Sequence, residues 1–149
     1  MKQIMTKGEI KGKMGCPCPE CKGKPYEINA LLLELLYKLF QKLTEMGKTA
    51  RINSGRRCPA YNASVGGYAN SPHIFGKAAD ISVIGMTMLE LAKLCIRVGF
   101  LRIGIYPNHV HVDVVNPHPS KFWYLKNYGD KPIYSGREYN LEKFLKKAR

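Results

Sequence analysis

No apolar run in this sequence approaches the roughly 20 residues needed to span a bilayer. The longest, residues 30–36, is broken by Glu34 and lies inside a helical pattern, so membrane insertion is not expected. The first residues are positively charged but lack the apolar segment of a secretory signal. The expectation is a protein made in the cytoplasm, reaching any outside substrate through lysis or a carrier. Acidic residues are few, 11 against 24 lysines and arginines, which leaves a net charge of +13. That imbalance favours a polyanionic partner such as nucleic acid, an anionic membrane or an anionic cell wall. Part of the excess sits at the ends, in Lys2, Lys7, Lys11, Lys13, Lys22 and Lys24 and in Lys143, Lys146, Lys147 and Arg149. A base-stacking aromatic ladder and a recognition helix are both missing, so no nucleic acid is expected. Internal repeats are missing too. What remains is a chain of 149 residues, 45% hydrophobic, suited to one domain with its own core and expected to be a monomer.

Residues 1–25 are rich in Gly, Lys, Pro and Cys and read as an irregular basic arm; residues 26–149 read as one domain. Apolar residues recur at helical spacing over 28–46, with Asn29 as N-cap and Gly47 as stop. A strand is expected over 49–53, then a turn over 54–59 carrying Arg56 and Arg57, then a helical turn over 61–68. Residues 79–83 read as a short buried strand. Thr87 and Glu90 form a capping box for a helix over 87–98, closed by Gly99. Strands over 100–106 and 110–115, joined by Pro107 and Asn108, should form a hairpin at the centre of an antiparallel sheet. Trp123 and Tyr124 read as core or rim, His118 as a surface-loop residue, and 141–148 as a short basic helix. The expected fold class is α+β, a small central antiparallel sheet with helices packed on it.

Histidine is scarce, and its placement is informative. Three of the four fall in two short stretches. His73 and Asp80 lie seven apart where a loop becomes a strand. His109, His111 and Asp113 alternate along the next hairpin and line one face, with Val110, Val112 and Val114 on the other. Imidazole and carboxylate suit zinc, and three protein ligands plus an open position is the catalytic arrangement. Four candidates, His73, Asp80, His109 and His111, are one too many. The extra histidine would act as a general base or stabilise an oxyanion, and spacing alone does not identify it. Zinc lowers the pKa of its water to about 7, suited to attack on an amide carbonyl.

Cysteines form a second cluster. Cys16, Cys18 and Cys21 fall within six residues, with Cys58 the available fourth ligand. A structural zinc, one or two disulfides, and plain reduced thiols are all compatible with the spacing. Cys95, in a helical pattern, reads as a buried small hydrophobe.

The ordered motifs Ser54-Gly-Arg-Arg-Cys-Pro, then Asn62, then Val65-Gly-Gly, S-x-H-x-x-G-x-A-x-D over 71–80 and H-V-H-V-D over 109–113 resemble one family. It is the zinc D-alanyl-D-alanine carboxypeptidase family of peptidoglycan peptidases, in the superfamily shared with lysostaphin-type peptidases and the hedgehog signalling domain. The resemblance covers roughly residues 28–116, and the cysteine arm is similar to that of the phage and prophage branch. It implies a zinc peptidase acting on stem or cross-bridge peptides, as a carboxypeptidase, an endopeptidase or a phage endolysin. Carried over by motif, His73, Asp80 and His111 become the zinc ligands and His109 the acid/base or transition-state residue. Arg57 would bind the substrate carboxylate or steady the oxyanion, unless it pairs with an acidic neighbour. Arg56 stands where the family commonly has tyrosine. From its place one strand repeat beyond His111, Asp113 would orient an imidazole or else form a surface salt bridge, and Ser71 would brace the loop rather than touch substrate. The resemblance also admits a non-catalytic wall-binding or signalling module that keeps the metal.

Overall fold

The computed structural model describes residues 5–117 and 120–148. His118 lies outside them, so its reading as a loop residue stays an expectation. The described residues form five α-helices, one 3₁₀ turn and six strands, in the order α1 (Lys7–Gly12), α2 (Ala30–Glu45), β1 (Ala50–Ser54), α3 (Pro59–Ser64), the 3₁₀ turn (Pro72–Phe75), β2 (Ala78–Val83), α4 (Met88–Val98), β3 (Arg102–Ile105), β4 (Val110–Asp113), β5 (Phe122–Tyr124), β6 (Ile133–Tyr134) and α5 (Leu141–Ala148). The strands form one sheet in the order β1-β2-β4-β3-β5-β6. The β3–β4 hairpin lies at its centre, as the two-residue turn implies. All pairings are antiparallel except β3 with β5, which is parallel. The expected antiparallel sheet with helices packed on it is present, and this one parallel pair is an addition to it. The chain returns to β3 through a loop rather than a tight turn, so its direction was not set locally.

One face of the sheet is apolar. Ile81, Ile103, Val110, Val112 and Phe122 are fully buried there, in one core with Leu32, Leu36 and Leu39 of α2 and Leu91, Ala92 and Cys95 of α4. Helix α2 is held at its start by Asn29, whose side chain accepts from the N–H groups of Leu31 and Leu32. Helix α4 has the expected capping box at Thr87 and Glu90. Helix α5 adds Leu141, Phe144 and Leu145 to the same core. Alternation along β2 and β4 therefore sends the apolar residues toward the helices and Asp80, His111 and Asp113 to the opposite face.

The arm is not simply irregular. Lys7–Gly12 is a helix with its own capping box, Thr6 with Glu9, and Ile10 within it and Met14 just beyond it are completely buried in the main core. The T-x-x-E signal was present in the sequence but was masked by the surrounding Gly and Lys content. The arm and the body share one core.

Candidate metal centre

The polar face of the sheet is built by register. Asp80 of β2 pairs directly with His111 of β4, and Ser54 of β1 pairs with Asp80. His111 faces Gly104, Gly104 faces Trp123, and Trp123 faces Tyr134. One row thus crosses all six strands. The register shift between Ile52 and Ser54, a bulge of the kind that re-aims strand ends beside sites, brings Ser54 opposite Asp80. A Cβ at Gly104 would stand 2.3 Å from the Trp123 indole, so only glycine lets that ring lie across the row. The indole then meets the His111 ring at 5.0 Å between centroids.

Three donors converge on this floor. His73 arrives from the 3₁₀ turn, where the Ser71 hydroxyl accepts from the His73 N–H and caps the turn. His73, Asp80 and His111 are all buried, with ligand atoms within 4.8 Å of one another. Their other polar atoms are held from outside. His73 Nδ1 lies 2.7 Å from the Gly55 carbonyl, which can only accept, so Nδ1 carries the proton and Nε2 faces Asp80 Oδ1 at 3.3 Å. His111 Nε2 meets Asp113 Oδ2 at 2.7 Å, leaving Nδ1 at 3.2 Å from the same Asp80 oxygen. Asp80 Oδ2 accepts from Arg57 at 3.0 Å. Asp113, fully buried, is gripped in turn by Arg102 through contacts of 2.8 and 3.1 Å. Such outer partners fix tautomer and orientation around metal ligands.

Charge reinforces the geometry. Burial alone would raise the Asp80 carboxyl, but hydrogen bonds from His111 and His73 hold it far below the usual carboxylate range. Asp113 is likewise lowered against burial, by His111 and Arg102. His111 is pulled down by burial, yet its two carboxylate partners outweigh this and raise it to about 9. The pocket between the donors is thus arranged to hold positive charge. Two imidazole nitrogens and one carboxylate oxygen match the donor preferences of zinc and leave a fourth position toward the cleft.

His109 does not join them. Its Nε2 lies 3.9 Å from Asp80 Oδ1, while Nδ1 bonds the Tyr128 hydroxyl at 2.9 Å. Its ring stacks on Tyr106 with centroids 4.3 Å apart, and the Tyr106 hydroxyl accepts from Trp123 Nε1 at 2.9 Å. Burial lowers the His109 pKa, with the Asp80 charge acting in the other direction. Arg57 engages three of its five N–H groups, with Ser54, Asn62 and Asp80. The pairing with an acidic neighbour considered from sequence is therefore present. Both His109 and Arg57 line a cleft of about 610 Å³ over the donors, rimmed by the exposed Tyr68, Phe75 and Tyr134.

Sequence reasoning missed several of these parts. Counting back from the Pro107–Asn108 turn would have paired Arg102 with Asp113 and Tyr106 with His109. Tyr128 and the Gly55 carbonyl had no local signal, since each is brought in by a loop.

Cys16, Cys18, Cys21 and Cys58 also converge, with their sulfurs within 4.8 Å of one another. All four are free thiols, and Cys18 and Cys58 approach to 3.6 Å. Burial opposes ionisation of Cys16, but N–H groups of Cys58 and Cys18 bring it down to about 7; hydrogen bonding with Cys18 pushes Cys21 up to about 12. Cys95 is fully buried in α4, as expected, and burial raises its thiol strongly.

Among known proteins, the family model described as Peptidase M15 matches residues 4–113. The zinc D-Ala-D-Ala carboxypeptidase of Streptomyces albus G is 34% identical over 98 residues, an alignment covering 64% of this chain and 38% of that protein. The chain therefore spans well under half the length of this curated relative. Its matched segment includes the whole donor set, from the arm cysteines through His73 and Asp80 to His111 and Asp113, and the chain belongs to the Peptidase M15 family.

Proposed function

We propose that this protein is a zinc-dependent peptidase that hydrolyses a peptide bond in the stem or cross-bridge of bacterial peptidoglycan. One observation carries the reading: three buried donors share a focus, each has its outward atom fixed, and an uncommitted histidine stands beside them at the floor of a cleft. Family membership supports the peptidase class, and the Streptomyces albus G relative, a zinc D-Ala-D-Ala carboxypeptidase, supports a D-Ala-containing peptide as substrate. The +13 charge supports attraction to an anionic wall.

His73, Asp80 and His111 would hold the metal, which supplies Lewis acidity and makes water nucleophilic at neutral pH. His109 is placed to carry the proton transfers, steadied by Tyr106 and Tyr128. Arg57, which lines the cleft, keeps Asp80 aligned, and its remaining N–H groups would serve a substrate carboxylate or developing oxyanion. Asp113 and Ser71 hold His111 and His73 in place. The open, aromatic-rimmed cleft accommodates either a chain end or an internal bond, so carboxypeptidase and endopeptidase actions, an endolysin among them, are outcomes for experiment. Release would follow lysis from the cytoplasm, and no nucleic acid or oligomer is part of this reading.

The test is digestion of purified peptidoglycan followed by mass spectrometry of the fragments. Cleavage that chelation stops and added zinc restores is expected, and the fragment masses name the bond. A zinc-loaded, folded protein that releases nothing would leave the non-catalytic wall-binding module as the better reading.

A further inference from the structure

The cysteine cluster lies away from the cleft, and the proposed reaction makes no use of it. We propose that Cys16, Cys18, Cys21 and Cys58 bind a second, structural zinc ion, which clamps the 54–58 turn so that the metal centre keeps two of its outer partners. The binding claim stands independently of the peptidase reading; the clamping claim rests on it.

The first argument is distance. Four thiolates around zinc at about 2.3 Å place their sulfurs near 3.8 Å from one another, whereas a disulfide brings two sulfurs to about 2.05 Å. The four sulfurs here lie within 4.8 Å of one another, the Cys18–Cys58 pair at 3.6 Å, and all are free thiols. One pair matches the tetrahedral spacing, and the whole set lies close enough to converge on a single ion. The backbone supports the same geometry: Cys58 N–H donates to Cys16 Sγ and Tyr61 N–H to Cys58 Sγ, each at 3.4 Å. The Cys18–Cys21 pair is closed by a turn, with N–H groups of Cys21 and Lys22 both donating to the Cys18 carbonyl. Lys22, Lys24 and Arg56 line the adjoining cavity and offset the negative charge of a four-thiolate site. Zinc enters as the cation, the displaced thiol protons leave to solvent, and no oxidant or reductant takes part.

The second argument is connectivity. Cys58 ends the turn whose Gly55 carbonyl fixes His73 and whose Arg57 fixes Asp80. On its other side that turn is pressed onto the arm. Arg56 N–H donates to the Met14 carbonyl at 2.7 Å, and a Cβ on Gly55 would meet Met14 backbone at 2.6 Å. Three cysteines come from the arm and one from the turn, so a single ion ties both together. Cys58 is a positioning residue that acts through Arg57 and Gly55.

Zinc per chain, measured on the folded full-length protein, should be two for the wild type. It should be one for Cys18→Ser with Cys21→Ser, and one for His73→Ala. Cobalt loading should add sulfur-to-metal charge-transfer bands that persist in His73→Ala and vanish in the cysteine variant. The clamp is read by rescue: Cys21→His, which keeps a ligand, should restore both the second zinc and kcat, while Cys21→Ser should restore neither yet retain the His73 metal. One zinc per chain in the wild type, or a mass showing disulfides among these cysteines, would overturn the site without touching the peptidase reading. Two zincs with kcat indifferent to Cys21→Ser would overturn the clamp. Two zincs in a protein without peptidase activity would support the site and count against only the proposed reaction.

Discussion

The two ligand clusters of this protein are built by opposite means. The histidine–carboxylate cluster stands on paired strands: Asp80 and His111 are direct register partners, and only His73 comes from a turn. Its floor is backed by the packed core of β2, β4 and the helices, so the donors are held before any ion arrives. The cysteine cluster stands on an arm and on the turn that joins β1 to α3, rather than on paired strands. Helix α1 anchors that arm through Ile10 and Met14, but beyond Met14 only Cys16 and, at the far end, Ile28 are buried apolar residues before α2 begins. Preorganisation by a sheet suits a site that must keep one coordination position open. Ligands on loops suit a site where the ion itself supplies the order.

This contrast can be broken experimentally. The largest effect is expected at the sheet-borne donors: Asp80→Ala should remove the metal from that centre and reduce peptidoglycan cleavage to background, with the melting curve still cooperative because the core behind it is intact. Next, His109→Ala should keep the metal and lower kcat by roughly 10²–10⁴-fold, the usual worth of a positioned acid/base; undiminished turnover would remove His109 from the chemistry. Asp113→Asn keeps the shape but weakens the grip on His111, and metal affinity should fall by about 10–100-fold, as measured by competition with a chromogenic chelator. The effect of smallest consequence for the metal centre concerns the arm. Ile10→Ala should cost about 2–5 kcal/mol of stability, read by denaturant unfolding, without changing the spectrum of cobalt bound at His73, Asp80 and His111. If that spectrum moved, the two regions would be more tightly joined than the sheet geometry suggests.

Much of the candidate centre was legible in the sequence because strand alternation is a strict rule. With period two, His111 and Asp113 had to share a face and Val110 and Val112 the other, and the scarcity of histidine drew attention to His73. The helices were legible for a similar reason: Asn29, Thr87 with Glu90, and Gly99 are chemical stop and start signals. The α1 helix escaped because a six-residue element carries too few apolar positions to show a period. The parallel β3–β5 pair escaped because no tight turn connects those strands.

By itself, the sequence determined helices α2, α4 and α5, the β3–β4 hairpin, the apolar and polar faces of β2 and β4, and the set of four candidate ligands His73, Asp80, His109 and His111. Those follow from local rules acting over a few residues. Tertiary structure decided which histidine stands apart, because the hairpin turn places His109 one residue before the strand and against Tyr106 and Tyr128. It also decided that Gly55, Arg57 and Arg102 hold the ligands from outside, and that Cys58 meets three cysteines some forty residues earlier in the chain. Apart from the hairpin pairs Tyr106–His109 and Arg102–Asp113, each of these is a contact between segments far apart in sequence. No local propensity encodes such a contact; only the packing of the sheet, the arm and the turn on one core brings it about.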